Sequence, residues 1–336
     1  MTYKIDIIGK STITVDDGDC ILESALSQKV DFPHGCKSGN CGACKSKLVS
    51  GDIYMMPYSE FALEDSERKK KLILACRAIP QTDCSIKIVN ENKEKTIKQS
   101  IKELKYKVSK INKVTTDIIT IELENISDKK FKFLAGQYAE LKFSNLDSRQ
   151  FSMANCPSED KLEFHIKILG EGLVSDYVSK ELSIEEKVLI TGPFGNSYLR
   201  ENHKGPILCV AGGTGLAPIL SIALSYQEKK MKQPAYIYVG AKTENDFYYL
   251  DQFIKIAKNN SKFKFFPIIS EQKNTNNFRT GLVTDVVIED IEDFDGFKAY
   301  LAGTPPMVEA AEKFFPNLGL NINDIHADAF YNKYEN

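Results

Sequence analysis

Four cysteines stand where thiolates could converge on iron. Cys36, Cys41 and Cys44 are spaced C-x4-C-x2-C, and Cys76 lies further along. This is the spacing of a [2Fe–2S] site, where one tight loop and one distant strand end supply four ligands to two irons. Gly35, Gly39 and Gly42 interrupt the loop. Lacking a Cβ, they let the backbone take dihedrals closed to other residues and approach the cluster, so that amide N–H groups donate to its sulfurs. Ser38 and Ala43 keep the loop thin. The other chemistry open to these thiols is a structural zinc site. Zinc ordinarily takes two paired knuckles, and the second half offers only Cys76, with Cys84 eight residues away. Iron is the stronger reading. Cys20 and Cys84, in strand-like context, read as buried thiols, as do Cys156 and Cys209.

The elements that must position these residues fall into three segments. The chain has 336 residues, 42% hydrophobic and 27% charged, ordinary values for a globular protein of two to three domains. A net charge of −2 gives no electrostatic reason to expect nucleic acid or an anionic membrane. The opening MTYKIDIIGKSTITV alternates like a strand hairpin and lacks an apolar signal core. No apolar run reaches the roughly 18–20 residues that span a bilayer. The chain therefore reads as cytoplasmic, and eight cysteines there point to metal or redox chemistry before disulfides.

Residues 1–92 form the cysteine-bearing segment, with a helix expected over ILESALSQ. Residues 93–103 read as a polar connector, extended or partly helical. Residues 104–200 carry repeated short strand patterns separated by turn residues, as in a small antiparallel barrel. Residues 204–336 alternate short apolar runs with helix-like stretches, as in a parallel sheet flanked by helices. The basic run Arg68-Lys69-Lys70-Lys71 reads as a solvated face, with a docking patch for an acidic partner as the alternative.

Arg149-Gln150-Phe151-Ser152-Met153 resembles the Arg-x-Tyr-Ser motif of the ferredoxin–NADP reductase superfamily. The resemblance implies that Arg149 binds a flavin pyrophosphate, that Phe151 covers one face of the ring, and that Ser152 lies near flavin N5. The chemistry suits each type: a pyrophosphate takes a bidentate guanidinium, and N5 takes a hydrogen-bond partner that leaves hydride approach open. Phe151 stands where Tyr is usual. Gly136-Gln137-Tyr138 matches the superfamily's strand entry. His165-Ile166-Lys167 and Gly170-Glu171-Gly172-Leu173-Val174-Ser175 match its second phosphate-binding stretch, where a glycine turn opens a helix.

Gly212-Gly213-Thr214-Gly215-Leu216-Ala217-Pro218 follows the run PILCV and opens another helix, a geometry that brings a pyrophosphate to a helix N-terminus. It is not G-x-G-x-x-G, since Pro218 replaces the third Gly. It resembles the superfamily's own nicotinamide-dinucleotide motif. Tyr238-Val239-Gly240-Ala241-Lys242 resembles its Tyr-x-Gly-x-Arg stretch, with Lys242 for Arg. Gly303-Thr304-Pro305-Pro306-Met307 resembles its nicotinamide loop, with Ala302 for the usual Cys. Ser270-Glu271 stands where NADP-selective relatives place Ser-Arg. A carboxylate there disfavours a 2′-phosphate and can accept from a ribose hydroxyl, so NADH is expected over NADPH, with Lys242 and Lys273 softening the preference. An aromatic residue near the C-terminus, Phe330 of IHADAFY, is a candidate to lie at the flavin.

The resemblance covers the whole chain. It implies a multidomain fold: an α+β β-grasp ferredoxin domain, an antiparallel β-barrel flavin domain and an α/β parallel-sheet nicotinamide domain. Within the superfamily the chain looks most like the reductase components of Rieske ring-hydroxylating oxygenases. That implies FAD, a plant-type [2Fe–2S] cluster and NADH as cofactors, and a Rieske-type ferredoxin or terminal oxygenase as the protein acceptor. Alternatives stay open: an electron donor like CDP-6-deoxy-3,4-glucoseen reductase, which serves a sugar dehydratase; a reductase of a di-iron hydroxylase; a reductase of free flavin or quinone, against which the cluster segment argues; and a redox-sensing iron–sulfur flavoprotein without catalytic turnover.

Overall fold

The computed structural model describes residues 1–30, 32–34, 39, 42–58, 62–89, 100–170, 172–271 and 278–330. Cys36 and Cys41, with Gly35, Ser38, Glu171, Lys273, Tyr331 and residues 93–99 of the expected connector, lie outside the described residues. Two compact units are present, their described residues falling within 1–89 and 100–330.

In the first unit, alternation at the N-terminus builds the hairpin Thr2–Ile7 and Thr12–Asp16, which buries Ile5, Ile7, Ile13 and Val15 on one face. Burying every second residue is what a strand with a single covered face requires. Thr2–Ile7 runs parallel to Cys84–Ile88, which pairs antiparallel with Lys45–Ser50, itself paired with Leu72–Leu74. The helix Ile21–Ser27 drives Ile21, Leu22 and Ala25 into the same core. A mixed five-stranded sheet gripping one helix is the β-grasp ferredoxin arrangement. Cys20 is the N-cap residue of that helix, not part of a strand. It is buried all the same, because the helix start packs inward.

The second unit begins with six antiparallel strands in the order Arg149–Ser152, Tyr138–Phe143, Lys187–Phe194, Lys102–Lys113, Ile118–Asn125, Leu162–Lys167. Lys102–Lys113 starts within the stretch read as connector. The two outer strands meet where Met153 bridges Phe164 and the Ala154 N–H donates to Glu163 O at 2.8 Å. The sheet thereby curls toward closure, with Phe143, Phe164 and Ile166 in its interior. Closure removes the unpaired edges that invite association.

Beyond it lies a parallel sheet in the order Arg279–Thr280, Phe263–Ile269, Ala235–Ala241, Ile207–Gly212, Lys298–Gly303, Ile325–Ala329. Its central strands are apolar throughout because both faces are covered. One face packs on the helices Leu216–Glu228 and Leu250–Asn259. The other packs on Val283–Asp290 and Pro305–Phe314.

Candidate active site

Of the four sequence-predicted cluster ligands, Cys44 and Cys76 are described. Cys44 precedes the strand Lys45–Ser50 and Cys76 follows Leu72–Leu74; these strands are paired, so their ends converge. The two Sγ atoms stand 3.3 Å apart, and both residues are buried. That exceeds a disulfide bond of about 2.05 Å and approaches the roughly 3.8 Å of two thiolates on one tetrahedral metal with bonds of about 2.3 Å. The donor set suits iron. Gly39 and Gly42 both take positive φ, as the loop reading expected. Lys45 beside Cys44 is neutralised by Glu67 at 2.7 Å.

The flavin-segment residues sit on the barrel's outer strands. Arg149 and Phe151 share one face of a strand paired with Tyr138–Phe143. Phe151 is half-buried against the barrel core, and Met153 is fully buried in it. An Arg149 Nη donates to the neighbouring Ser148 carbonyl at 2.9 Å. Gly172 is the N-cap of the helix Leu173–Lys180, and it has no side chain to satisfy the first amides, which an anion can then take. Val174 and Ser175 are buried in that first turn, and Ser175 Oγ donates to the Gly172 carbonyl at 3.0 Å. An aromatic wall, a guanidinium and an uncapped helix start are what FAD requires.

The glycine loop joins Ile207–Gly212 to the helix Leu216–Glu228. At Gly215 a Cβ would lie 2.0 Å from the Ala302 carbonyl, so only glycine lets the helix sit so close to its neighbour strand. Gly213 has φ +57° and faces open space. Pro218 is the third residue of the helix, where its missing N–H costs nothing. Met307 Sδ reaches within 3.2 Å of the Cβ position of Gly212, and Met307 Cε within 3.0 Å of that of Gly303. One thioether thus touches both loops. Thr304 stands at the N-cap position of the helix Pro305–Phe314 without a side-chain capping bond, and Pro306 lies in its first turn. The Phe330 N–H donates to the Gly303 carbonyl at 2.8 Å, holding that residue beside the loop.

The two halves meet at named atoms. Ser152 Oγ donates to Asp328 Oδ2 at 3.2 Å, from the barrel to the strand Ile325–Ala329. Asp328 is in register with Ala302, so the residue standing for the usual Cys lies beside the carboxylate that touches Ser152. His165 projects away from the barrel core: Nδ1 stands 3.1 Å from the Tyr248 hydroxyl and Nε2 3.2 Å from Glu163 Oε1. The Tyr249 hydroxyl donates to the same Glu163 oxygen at 2.6 Å. Burial opposes ionisation of Glu163, yet the bonds from His165 and Tyr249 hold its pKa below the usual range. Burial pushes the Tyr248 and Tyr249 phenols upward. Lys167 lies 3.4 Å from Asp117. Lys242 and Glu271 form an exposed ion pair at 3.0 Å. The sequence reading passed over Asp328, Glu163 and the Tyr248-Tyr249 pair. Two adjacent tyrosines just ahead of an amphipathic helix were the available signal.

Family models match in chain order: a 2Fe-2S iron-sulfur cluster binding domain over residues 5–81, an oxidoreductase FAD-binding domain over 105–198 and an oxidoreductase NAD-binding domain over 209–313. The chain is 34% identical to the propane 2-monooxygenase reductase component of Mycolicibacterium smegmatis, over 95% of this chain and 93% of that protein. It is also 34% identical to the ferredoxin–NAD(P)+ reductase component of the naphthalene 1,2-dioxygenase/salicylate 5-hydroxylase systems of a Ralstonia species, over 95% of each. Among solved structures, the Amycolatopsis cytochrome P450 reductase GcoB aligns with TM-score 0.80 at 30% identity, over 98% of this chain and 99% of that one.

Proposed function

The chain belongs to the family of [2Fe–2S], FAD- and NAD-binding reductase components of oxygenase systems, and on that premise we propose that it takes a hydride from NADH and passes single electrons to an oxygenase or to a Rieske-type ferredoxin serving one. Bound flavin supplies the exchange between two-electron and one-electron chemistry. The protein's part is to hold, orient and shield. Cys36, Cys41, Cys44 and Cys76 hold the cluster. Arg149, with the amides at Gly172, Val174 and Ser175, would take the flavin phosphates; Phe151 would back the ring, with Met153 supporting that strand from the barrel core, and the strand bearing His165 and Lys167 would border it. Ser152 faces N5. Gly212, Gly213, Thr214 and Gly215 take the dinucleotide pyrophosphate at the helix that Pro218 helps to start, and Gly303, Pro306 and Met307 frame the nicotinamide beside Phe330.

The observation that carries this reading is the 3.2 Å bond from Ser152 to Asp328. It joins the flavin segment to the sheet end that bears Gly303, so the residues that would hold the two cofactors are brought together, as direct transfer between them requires. NADH is favoured because Glu271 is ion-paired with Lys242. A lysine so engaged is a weaker clamp for a 2′-phosphate, and the carboxylate beside it repels one.

The test is anaerobic titration of the purified holoprotein with NADH and with NADPH, followed by turnover with cytochrome c and ferricyanide. Bleaching of the flavin and iron–sulfur bands is expected, with NADH favoured in kcat/KM. Protein lacking both bands at full flavin and iron supply would sink the reading. Cys41→Ser should abolish cytochrome c reduction and spare ferricyanide reduction. Equal loss of both activities would refute the cluster as the exit.

A further inference from the structure

The glycine loop of the dinucleotide site does not stand alone. Its Gly213 carbonyl accepts from the Tyr248 hydroxyl at 3.3 Å and from the Leu216 N–H at the helix start. Tyr248 is buried, and its hydroxyl also faces His165 Nδ1 at 3.1 Å. A hydroxyl carries one proton and two lone pairs, so it can donate to the carbonyl and accept from Nδ1–H at once while Nε2, which faces Glu163, is protonated too. His165 belongs to the barrel strand Leu162–Lys167, whose alternate residues Phe164 and Ile166 form the barrel interior. A continuous run of side chains therefore leads from the flavin barrel to the loop that should bind the dinucleotide.

The anchoring of this run is unusual. Tyr249 takes φ +59°, ψ +17°, a left-handed conformation uncommon for a bulky residue. The twist brings two consecutive tyrosines to one histidine. The Tyr248 and Tyr249 rings meet the His165 ring edge-on, with centroids at 5.2 and 5.4 Å. Consecutive side chains in extended backbone would point to opposite sides. The short bond from Tyr249 to Glu163, and the bond from Glu163 to His165, close the ring of contacts. A strained backbone held by such a cluster is a reason to look for a positional task.

The task follows from peptide geometry. In a trans peptide the N–H points opposite to the C=O. Fixing the Gly213 carbonyl toward Tyr248 fixes the Thr214 N–H away from it. Gly213, at φ +57° with nothing within 4 Å of its Cβ position, has the freedom to flip that peptide if it is released.

We infer that Tyr248, clamped by His165 and Tyr249, is a positioning residue that sets the Gly213–Thr214 peptide of the dinucleotide loop and couples it to the flavin barrel. The inference rests on the assignment of that loop to the nicotinamide dinucleotide. It gives His165 a role through its ring that differs from direct contact with the flavin.

The experiment compares Tyr248→Phe and Tyr249→Phe with the unaltered holoprotein. Each is checked for full flavin and cluster absorbance and for its thermal midpoint. NAD+ affinity is measured by calorimetry, and KM for NADH and kcat with ferricyanide by steady-state kinetics. Tyr248→Phe keeps the ring contacts and removes the hydroxyl's contacts with the Gly213 carbonyl and His165 Nδ1. It should raise the NAD+ Kd and the NADH KM together, about three- to ten-fold, with kcat changed less than two-fold. Tyr249→Phe loosens the clamp but leaves the Tyr248 hydroxyl in place, so it should lower the thermal midpoint with a smaller change in KM. A fully loaded Tyr248→Phe protein whose Kd and KM stay within two-fold of the parent, whatever its thermal midpoint, overturns the inference. If the unaltered protein itself neither binds NAD+ nor oxidises NADH, the functional reading beneath it fails instead.

Discussion

Glu163 is a partly buried carboxylate whose ionisation the fold ties down. Its carboxylate accepts from Tyr249 and faces His165, and these bonds outweigh the cost of burial, leaving its pKa below the ordinary 4.5. A group with a depressed folded-state pKa lends stability that is complete above its ordinary value and lost as pH falls through the folded value. The thermal midpoint should therefore drop on acidification below about pH 4.5, and Glu163→Gln should flatten that part of the profile while starting lower at neutral pH. An unchanged acid limb would show that other carboxylates govern it. Such residues are hard to find in a sequence. Cysteines and glycines announced themselves because their chemistry lies in local spacing. Glu163 gains its partner Tyr249 across 86 positions, and Ser152 gains Asp328 across 176. Only the fold makes those pairs.

Among elements, the two loop glycines separate two kinds of constraint. Gly215 is held by space, since a Cβ would strike the Ala302 carbonyl at 2.0 Å; Gly213 is held by dihedral alone. Gly215→Ala should cost about 2–3 kcal/mol, because backbone must shift to admit it. Gly213→Ala should cost only about 1 kcal/mol, the strain of a left-handed alanine. Urea unfolding of both variants checks the order, and equal midpoints would contradict the packing account. The parallel strands and the helix after the glycine loop were legible from their continuous apolar runs. The strand Ile325–Ala329 was not: it reads IHADA, half-polar, because it lies at the sheet's edge and, His326 apart, its residues are only partly covered. Its aromatic successor Phe330 carried a sequence signal, while the contact to Ser152 comes two residues earlier, from Asp328. The start of Lys102–Lys113 was missed for a similar reason, since its first turn of sequence is charged and partly exposed.

The molecule as a whole divides where its chemistry divides. Residues 1–96 and 97–330 each hold a core of their own. Produced separately, the first fragment should keep iron–sulfur absorbance, and the second should keep NADH-dependent ferricyanide reduction within about two- to three-fold of the parent while losing cytochrome c reduction. A second fragment unable to retain flavin would show that the units depend on each other to fold. The order of the three cofactor segments was legible in the sequence because each carries its own motif. What lies between barrel and parallel sheet was not, since it is made of ordinary Ser, Asp, Tyr and His side chains.

The bond from Ser152 to Asp328 also imposes a timetable. A ribosome releases the barrel first, and domains fold broadly in the order they emerge. The barrel strands are complete by Phe194, yet the carboxylate that meets Ser152 is made 176 residues after it. Until the strand Ile325–Ala329 docks on Lys298–Gly303, the hydroxyl has no partner and the loop at Gly303 lacks the bond from Phe330. A nascent chain stalled before the strand Ile325–Ala329 would thus carry complete barrel strands without the Ser152–Asp328 bond. The strand Ile325–Ala329 thus completes both the Ser152–Asp328 contact and the setting of the Gly303 loop.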